Sequence, residues 1–150
     1  MTNTATLASL IAQKLQLLQL LARLSHAQVD LIDSGDMTRL LPVLGAKQQL
    51  LGQLQQLEQA LTPFRDEDPD QRIWASPEAR EKCRIDAQRS EQLLAEIMNL
   101  ERKGEAEMIR RRDETARRLE EMDNASRVHS AYFEPVAPAS TSFFDVSSER

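Results

Sequence analysis

Two histidines, one cysteine and a cluster of arginines are the residues of this chain whose types could carry chemistry. His26 and Asp30 stand four apart, which on a helix puts them on one face and would supply half of a metal site. His129 is far away in sequence, and no HExxH, CxxC or glycine-rich phosphate loop accompanies either histidine. The pair is therefore expected to be two solvated residues on a polar face, with no metal bound. Cys83 would be a nucleophile only beside a base or a helix N-terminus. It falls within about two turns of a predicted helix start, but on a stripe with Leu93 and Ile97, so a small core filler is expected. Arg110-Arg111-Arg112 with Arg117 and Arg118 could meet nucleic acid or an acidic membrane surface. Acids are interleaved throughout, and the formal charge of −5 has the wrong sign for phosphate-driven affinity. The sequence thus predicts no enzyme, no cofactor, no metal site, and neither nucleic acid nor a small-molecule substrate as partner.

The elements around these residues are more informative than the residues themselves. Of 21 leucines, 17 fall in residues 1–61, a stretch with only eight charged side chains. The remainder is charge-dense and leucine-poor. Glycine and proline are scarce and aromatics are 4% of the chain, so helix is favoured nearly everywhere. The first segment, Thr4 to Asp33, places Leu7, Leu10, Ile11, Leu17, Leu18, Leu21, Leu24, Leu31 and Ile32 on one face, flanked by Leu15, Leu20 and Val29. That arc spans roughly 220°, against the ~100° of an ordinary core-facing stripe, so this helix must touch at least two neighbours, or one neighbour and a partner. Leu17 and Leu24 sit centrally in it and are expected to be buried. Ser34-Gly35-Asp36 is a turn, with Gly35 at φ > 0 and Asp36 capping the next helix. That helix runs from Met37 to about Leu61, with a break expected near Pro42. Thr62 to Ser76 reads as a loop pinned to the bundle by Phe64, Ile73 and Trp74. Ser76-Pro77-Glu78 is a strong helix start.

The third segment extends to about Ser130, some 80 Å if unbroken at ~1.5 Å per residue. Its stripe is Cys83, Leu93, Leu94, Ile97, Leu100, Gly104 and Met108. Beyond Met108 that face meets Arg111, Arg112 and Thr115 before Leu119 and Met122 restore apolar character. Glu107–Arg111, Asp113–Arg117 and Glu114–Arg118 are i,i+4 pairs that can hold the segment helical without burial. The expected fold is all-α: three long antiparallel helices in a coiled-coil-like bundle, the third overhanging. The helical domain is expected over 1–132, with a flexible tail over 133–150. No apolar run approaches the ~20 residues of a membrane span. The opening MTNTATLASL lacks a basic n-region, and the single Cys83 suits a reducing compartment, so a cytoplasmic location is expected.

One family shares this combination. The turn Ser34-Gly35-Asp36, the following Met-Thr-Arg-Leu, and Lys47-Gln48-Gln49-Leu50-Leu51 resemble the FlgN-type flagellar export chaperones. Those show a leucine-rich first helix, a "gD..x.L" turn, an "eKqqLL" segment and a charged third helix ending in a tyrosine-bearing tail; the resemblance covers most of 7–132. It implies a small non-enzymatic cytoplasmic protein that binds the C-terminal helices of hook–filament junction proteins, prevents their premature assembly and delivers them to the flagellar type III export gate. It implies a client site on the third helix, here Met108, Leu119, Met122, Val128 and Phe133. Tyr132 would match the tail tyrosine that docks transiently at the gate. Pro42 and Phe133-Glu134-Pro135 depart from the family pattern. A homodimer is left open. A structural or adaptor coiled coil, or a chaperone for another flagellar export client, would share the composition.

Overall fold

A computed structural model describes residues 3–133, and all the long elements among them are helices: α1 (Thr4–Ser34), α2 (Met37–Arg65) and α3 (Pro77–Phe133). Capping side chains set their starts. The Asn3 side chain accepts from the Thr6 amide at 3.0 Å, Asp36 from the Arg39 amide at 3.2 Å, and Ser76 from the Ala79 amide at 3.1 Å. Gly35 ends α1 at φ 74°, the left-handed conformation that costs a residue without Cβ least. Its amide donates to the Ile32 carbonyl and that of Asp36 to the Leu31 carbonyl, the paired pattern of a Schellman turn. The turn, its glycine and its cap are as the sequence predicts.

Helix α2 corrects two expectations. It passes through Pro42 without a break, and through Pro63 to end at Arg65. Pro42 cannot donate to the Thr38 carbonyl, but both residues are exposed, so water can take over that acceptor. The Thr62 hydroxyl, next to Pro63, donates to the Glu58 carbonyl at 3.0 Å. The linker that follows contains a short 3₁₀ turn, Pro69–Gln71. Phe64 and Trp74 are half-buried, as expected of residues that pin it. Ile73 is not: its side chain is 77% exposed, and only its carbonyl anchors the linker, accepting from the Thr4 hydroxyl at 2.8 Å.

Two compact units divide the chain, one through Met108 and one from Ile109 onward. In the first, α1 meets both other helices, one of the two arrangements that its wide arc allows. Leu18, Leu21 and Ala22 of α1 form one buried cluster with Leu93 and Ile97 of α3, and Leu15, Leu50 and Leu54 pack against it. Thr4 is level with Ile73, and Gly104 with Ile32, so α1 and α3 run in the same direction and α2 opposes both. A Cβ on Gly104 would stand 3.4 Å from Ile32 Cδ1, an ordinary contact, so α1 and α3 lie close here while α3 continues through the glycine.

The central leucines are not those the arc selected. Leu17 and Leu24 are half-buried, whereas Leu18 and Leu21 are fully enclosed at 0% and 1% exposure. With two neighbours, the deepest line of α1 lies between its two contact faces. Leu94 leaves the α3 stripe for the surface, and Ser90 takes a buried place on it. By length and composition α1 could cross a membrane, contrary to the expectation that no run is apolar enough; of its leucines, Leu18 and Leu21 lie in the bundle core and Leu15 packs against it.

The second unit, described from Ile109 to Phe133, is a single helical stretch with no buried residue. Local ion pairs support it. Glu114 accepts from Arg110 at 3.2 Å and from Arg118 at 2.9 Å, and Arg127 pairs with Asp123 at 3.0 Å. Asp113 contacts Arg112, not the Arg117 expected from i,i+4 spacing. Phe133 is still helical, and the tail expected beyond it, 134–150, lies outside the described residues.

Candidate functional site

The structure gives His26 and Cys83 pairing and packing roles. His26 Nε2 lies 2.7 Å from Glu96 Oε1 on α3, so the imidazole reaches across the bundle instead of along its own helix to Asp30. No group of three potential metal ligands exists among the described residues. Cys83 is buried, and burial raises its thiol pKa, followed by the repulsive effect of Asp86. That is the opposite of an activated nucleophile.

Sequence reasoning missed a polar cluster inside the first unit. Lys47 is 7% exposed, with its aliphatic stem between the helices. Its ammonium donates to Gln28 Oε1 at 2.6 Å and to Glu101 Oε1, which also lies 3.4 Å from the Ser25 hydroxyl. One cation thereby ties α2 to α1 and α3. Burial lowers the Lys47 pKa. The only hint in the sequence was its place seven residues before Leu54 and three before Leu50, within the apolar pattern of α2. Through one cation the cluster links three helices, an arrangement that can fix their relative register.

The apolar residues selected as a client site remain at the surface. Met108 closes the first unit at 41% exposure. In the second unit Leu119 is 61%, Met122 68% and Tyr132 78% exposed, with Val128 and Phe133 between these values or close to them. They do not form one face. At about 100° per residue, Leu119 and Met122 stand some 60° apart and Phe133 about 20° from Met122. Val128 falls about 180° from Leu119 and lies nearer to Tyr132. Two stripes result: Leu119–Met122–Phe133, and Val128–Tyr132. The His129 ring packs on Phe133 with centroids 4.6 Å apart.

A second apolar surface was not selected from the sequence. Between α1 and α2, Leu17, Leu20 and Leu57 line a shallow groove of about 410 Å³, rimmed by Gln13, Gln16, Gln53 and Gln56. Its signal was present as Leu20 at the edge of the over-wide arc. The arrangement of both surfaces suits apposition of a helix, since neither offers the convergent polar groups of a catalytic pocket. No protein-family model, no curated protein and no solved structure matches this chain.

Proposed function

We propose that this chain is a cytoplasmic, non-enzymatic export chaperone of the FlgN type. In this reading it binds the C-terminal helices of flagellar hook–filament junction proteins, keeps them from premature assembly and presents them to the type III export gate. One observation carries the proposal: α3 stays helical to Phe133 although nothing in 115–133 is half-buried or buried, and Leu119, Met122 and Phe133 still share one stripe. Exposed methionine and leucine on a soluble, ion-paired helix suit reversible capture of an amphipathic helix. Leu119, Met122 and Phe133 form the client stripe, and Tyr132, on the neighbouring stripe with Val128, serves the gate.

The test is binding of a junction-protein C-terminal helix to Leu119→Asp/Met122→Asp. Loss of affinity with an unchanged melt supports the assignment, and unchanged affinity removes it. Tyr132→Ala should bind client normally and fail in export. The α1–α2 groove supports a second reading of the client site. Leu20→Asp discriminates the two, because it should leave client affinity unchanged if the α3 stripe is the site.

A further inference from the structure

The exposed seam of the second unit is more regular than its apolar members alone suggest. Arg112, Thr115, Leu119, Met122, Ser126, His129 and Phe133 recur at alternating intervals of three and four, the heptad spacing of a coiled-coil seam. All seven are exposed. Strict heptad steps from the residues that pack in the first unit do not lead into this seam. There Ile97 and Gly104 are buried, and heptad steps from them lead to Arg111, Arg118 and Ala125. The exposed seam runs one residue later, through 112, 119 and 126.

The seam is complementary to itself when reversed. Set antiparallel about an axis between Glu120 and Glu121, Leu119 faces Met122 of a second copy, Thr115 faces Ser126, and Arg112 faces His129. The large apolar residues meet at the centre. On either side of them two small hydroxyl residues meet, and each hydroxyl can donate to or accept from the other. The flanking pairs become Arg118 with Ala125, Ala116 with Asp123, and Arg111 with Tyr132. No like charges oppose along the seam edge, and an arginine can lie over the tyrosine ring. Charge along the helix agrees. Residues 110–118 carry five arginines against two acids, whereas 119–127 carry three acids against one arginine. Antiparallel pairing lays the basic half of each copy on the acidic half of the other. Parallel pairing would stack Arg112 on itself within the seam and place like halves side by side.

We propose that two copies of this chain pair antiparallel through the 112–129 seam of α3, forming an isologous contact. With only Leu119 and Met122 apolar at its centre, the contact is a reversible one. The pairing stands without the proposed function. Its consequence rests on that function: the second copy covers Leu119 and Met122, so a client helix must displace it, and the free chaperone does not leave its apolar stripe open to water.

Sedimentation equilibrium of the full chain reads the pairing directly. The mass should rise with concentration from the monomer value of 17.0 kDa towards twice that. Leu119→Asp/Met122→Asp should stay monomeric while its melting curve is unchanged. Orientation is read by mild oxidation in a Cys83→Ala background. A mixture of Thr115→Cys and Ser126→Cys chains should cross-link, and Thr115→Cys alone should not. A monomer at every concentration, a dimer that survives the double aspartate substitution, or cross-linking of Thr115→Cys to itself as fast as to Ser126→Cys overturns the proposal. A monomer that still binds the junction-protein helix overturns the self-pairing and leaves the proposed function standing. A dimer that binds no client helix does the reverse.

Discussion

Helix α3 is held in two different ways along its length. Up to Gly104 its inner face is Cys83, Ser90, Leu93, Ile97 and Leu100, all buried against the rest of the first unit. From Ile109 to Phe133 no residue is buried, and the helix relies on good helix formers and on a carboxylate, Glu114, flanked by arginines at four-residue spacing. The same backbone geometry therefore rests on tertiary burial in one region and on local interactions in the other. Periodicity alone does not separate them, because both stretches carry an apolar stripe. What differs is charge density, and with it what a substitution should do.

The largest expected contrast is between matched truncations. Leu18→Ala or Leu21→Ala should each cost about 2–5 kcal/mol, since both side chains are fully enclosed. Leu119→Ala and Met122→Ala should stay within about 0.5 kcal/mol of wild type for the monomer. Denaturant melts of the four variants check this, and comparable losses in both regions would abolish the distinction.

The Lys47 cluster gives an intermediate effect. Glu101→Ala leaves the buried ammonium with Gln28 alone and should cost about 1–3 kcal/mol, the lower end being favoured by Glu101's own exposure. Lys47→Met removes the charge together with its need for partners and should be close to neutral. These variants also differ in pH dependence. Burial lowers the folded Lys47 pKa below its ordinary value of 10.5, so the unfolded chain binds more protons at this site between those two pKa values. Stability should rise with pH across that interval, and the rise should be missing in Lys47→Met. Urea midpoints of both proteins over the alkaline range read the difference.

The smallest effect sharpens the other side of the comparison. Glu114→Gln removes the carboxylate charge shared by Arg110 and Arg118, each pair contributing about 0.2–0.5 kcal/mol. Amide exchange in 109–133 should quicken while exchange in the buried core is unchanged. Added salt should shrink the difference. Faster exchange in both regions would mean that the two are not independently held.

Much of the fold was legible because it depends on local chemistry. Gly35, Asp36 and Ser76 mark helix ends through their own backbone and side-chain preferences, and each does so here. Of the two arrangements that the width of the α1 arc allowed, two neighbours or one neighbour and a partner, the fold has the first. Proline was less legible: Pro42 costs one hydrogen bond, but exposure of the orphaned carbonyl makes that loss tolerable, and exposure is a tertiary property. The choice of Leu18 and Leu21 over Leu17 and Leu24 was hidden for the same reason, since the angle between two neighbours sets which line of a helix lies deepest. Lys47 was hidden most completely. A lysine in a polar-looking segment carries no sign that Gln28 and Glu101 will converge on it from other helices. At the candidate site, the sequence identified Leu119 and Met122 as exposed apolar residues but not the separation of Val128 and Tyr132 onto another stripe.

The Gly35 turn also bears on the order in which the chain folds. It closes α1 and α2 into a hairpin whose pairing begins a few residues apart, whereas the bonds from Thr4, Ser25 and His26 to Ile73, Glu101 and Glu96 span 69, 76 and 70 residues. Short loops close at less entropic cost, so the hairpin should form ahead of the docking of α3. Until Glu101 arrives, the Lys47 ammonium can keep its water. Its dehydration then belongs to the last stage of assembly, and Glu101→Ala should speed unfolding far more than it slows folding in stopped-flow measurements. Equal changes in the two rates would place α3 docking early. The buried lysine thus works as a latch, set after the hairpin is already made.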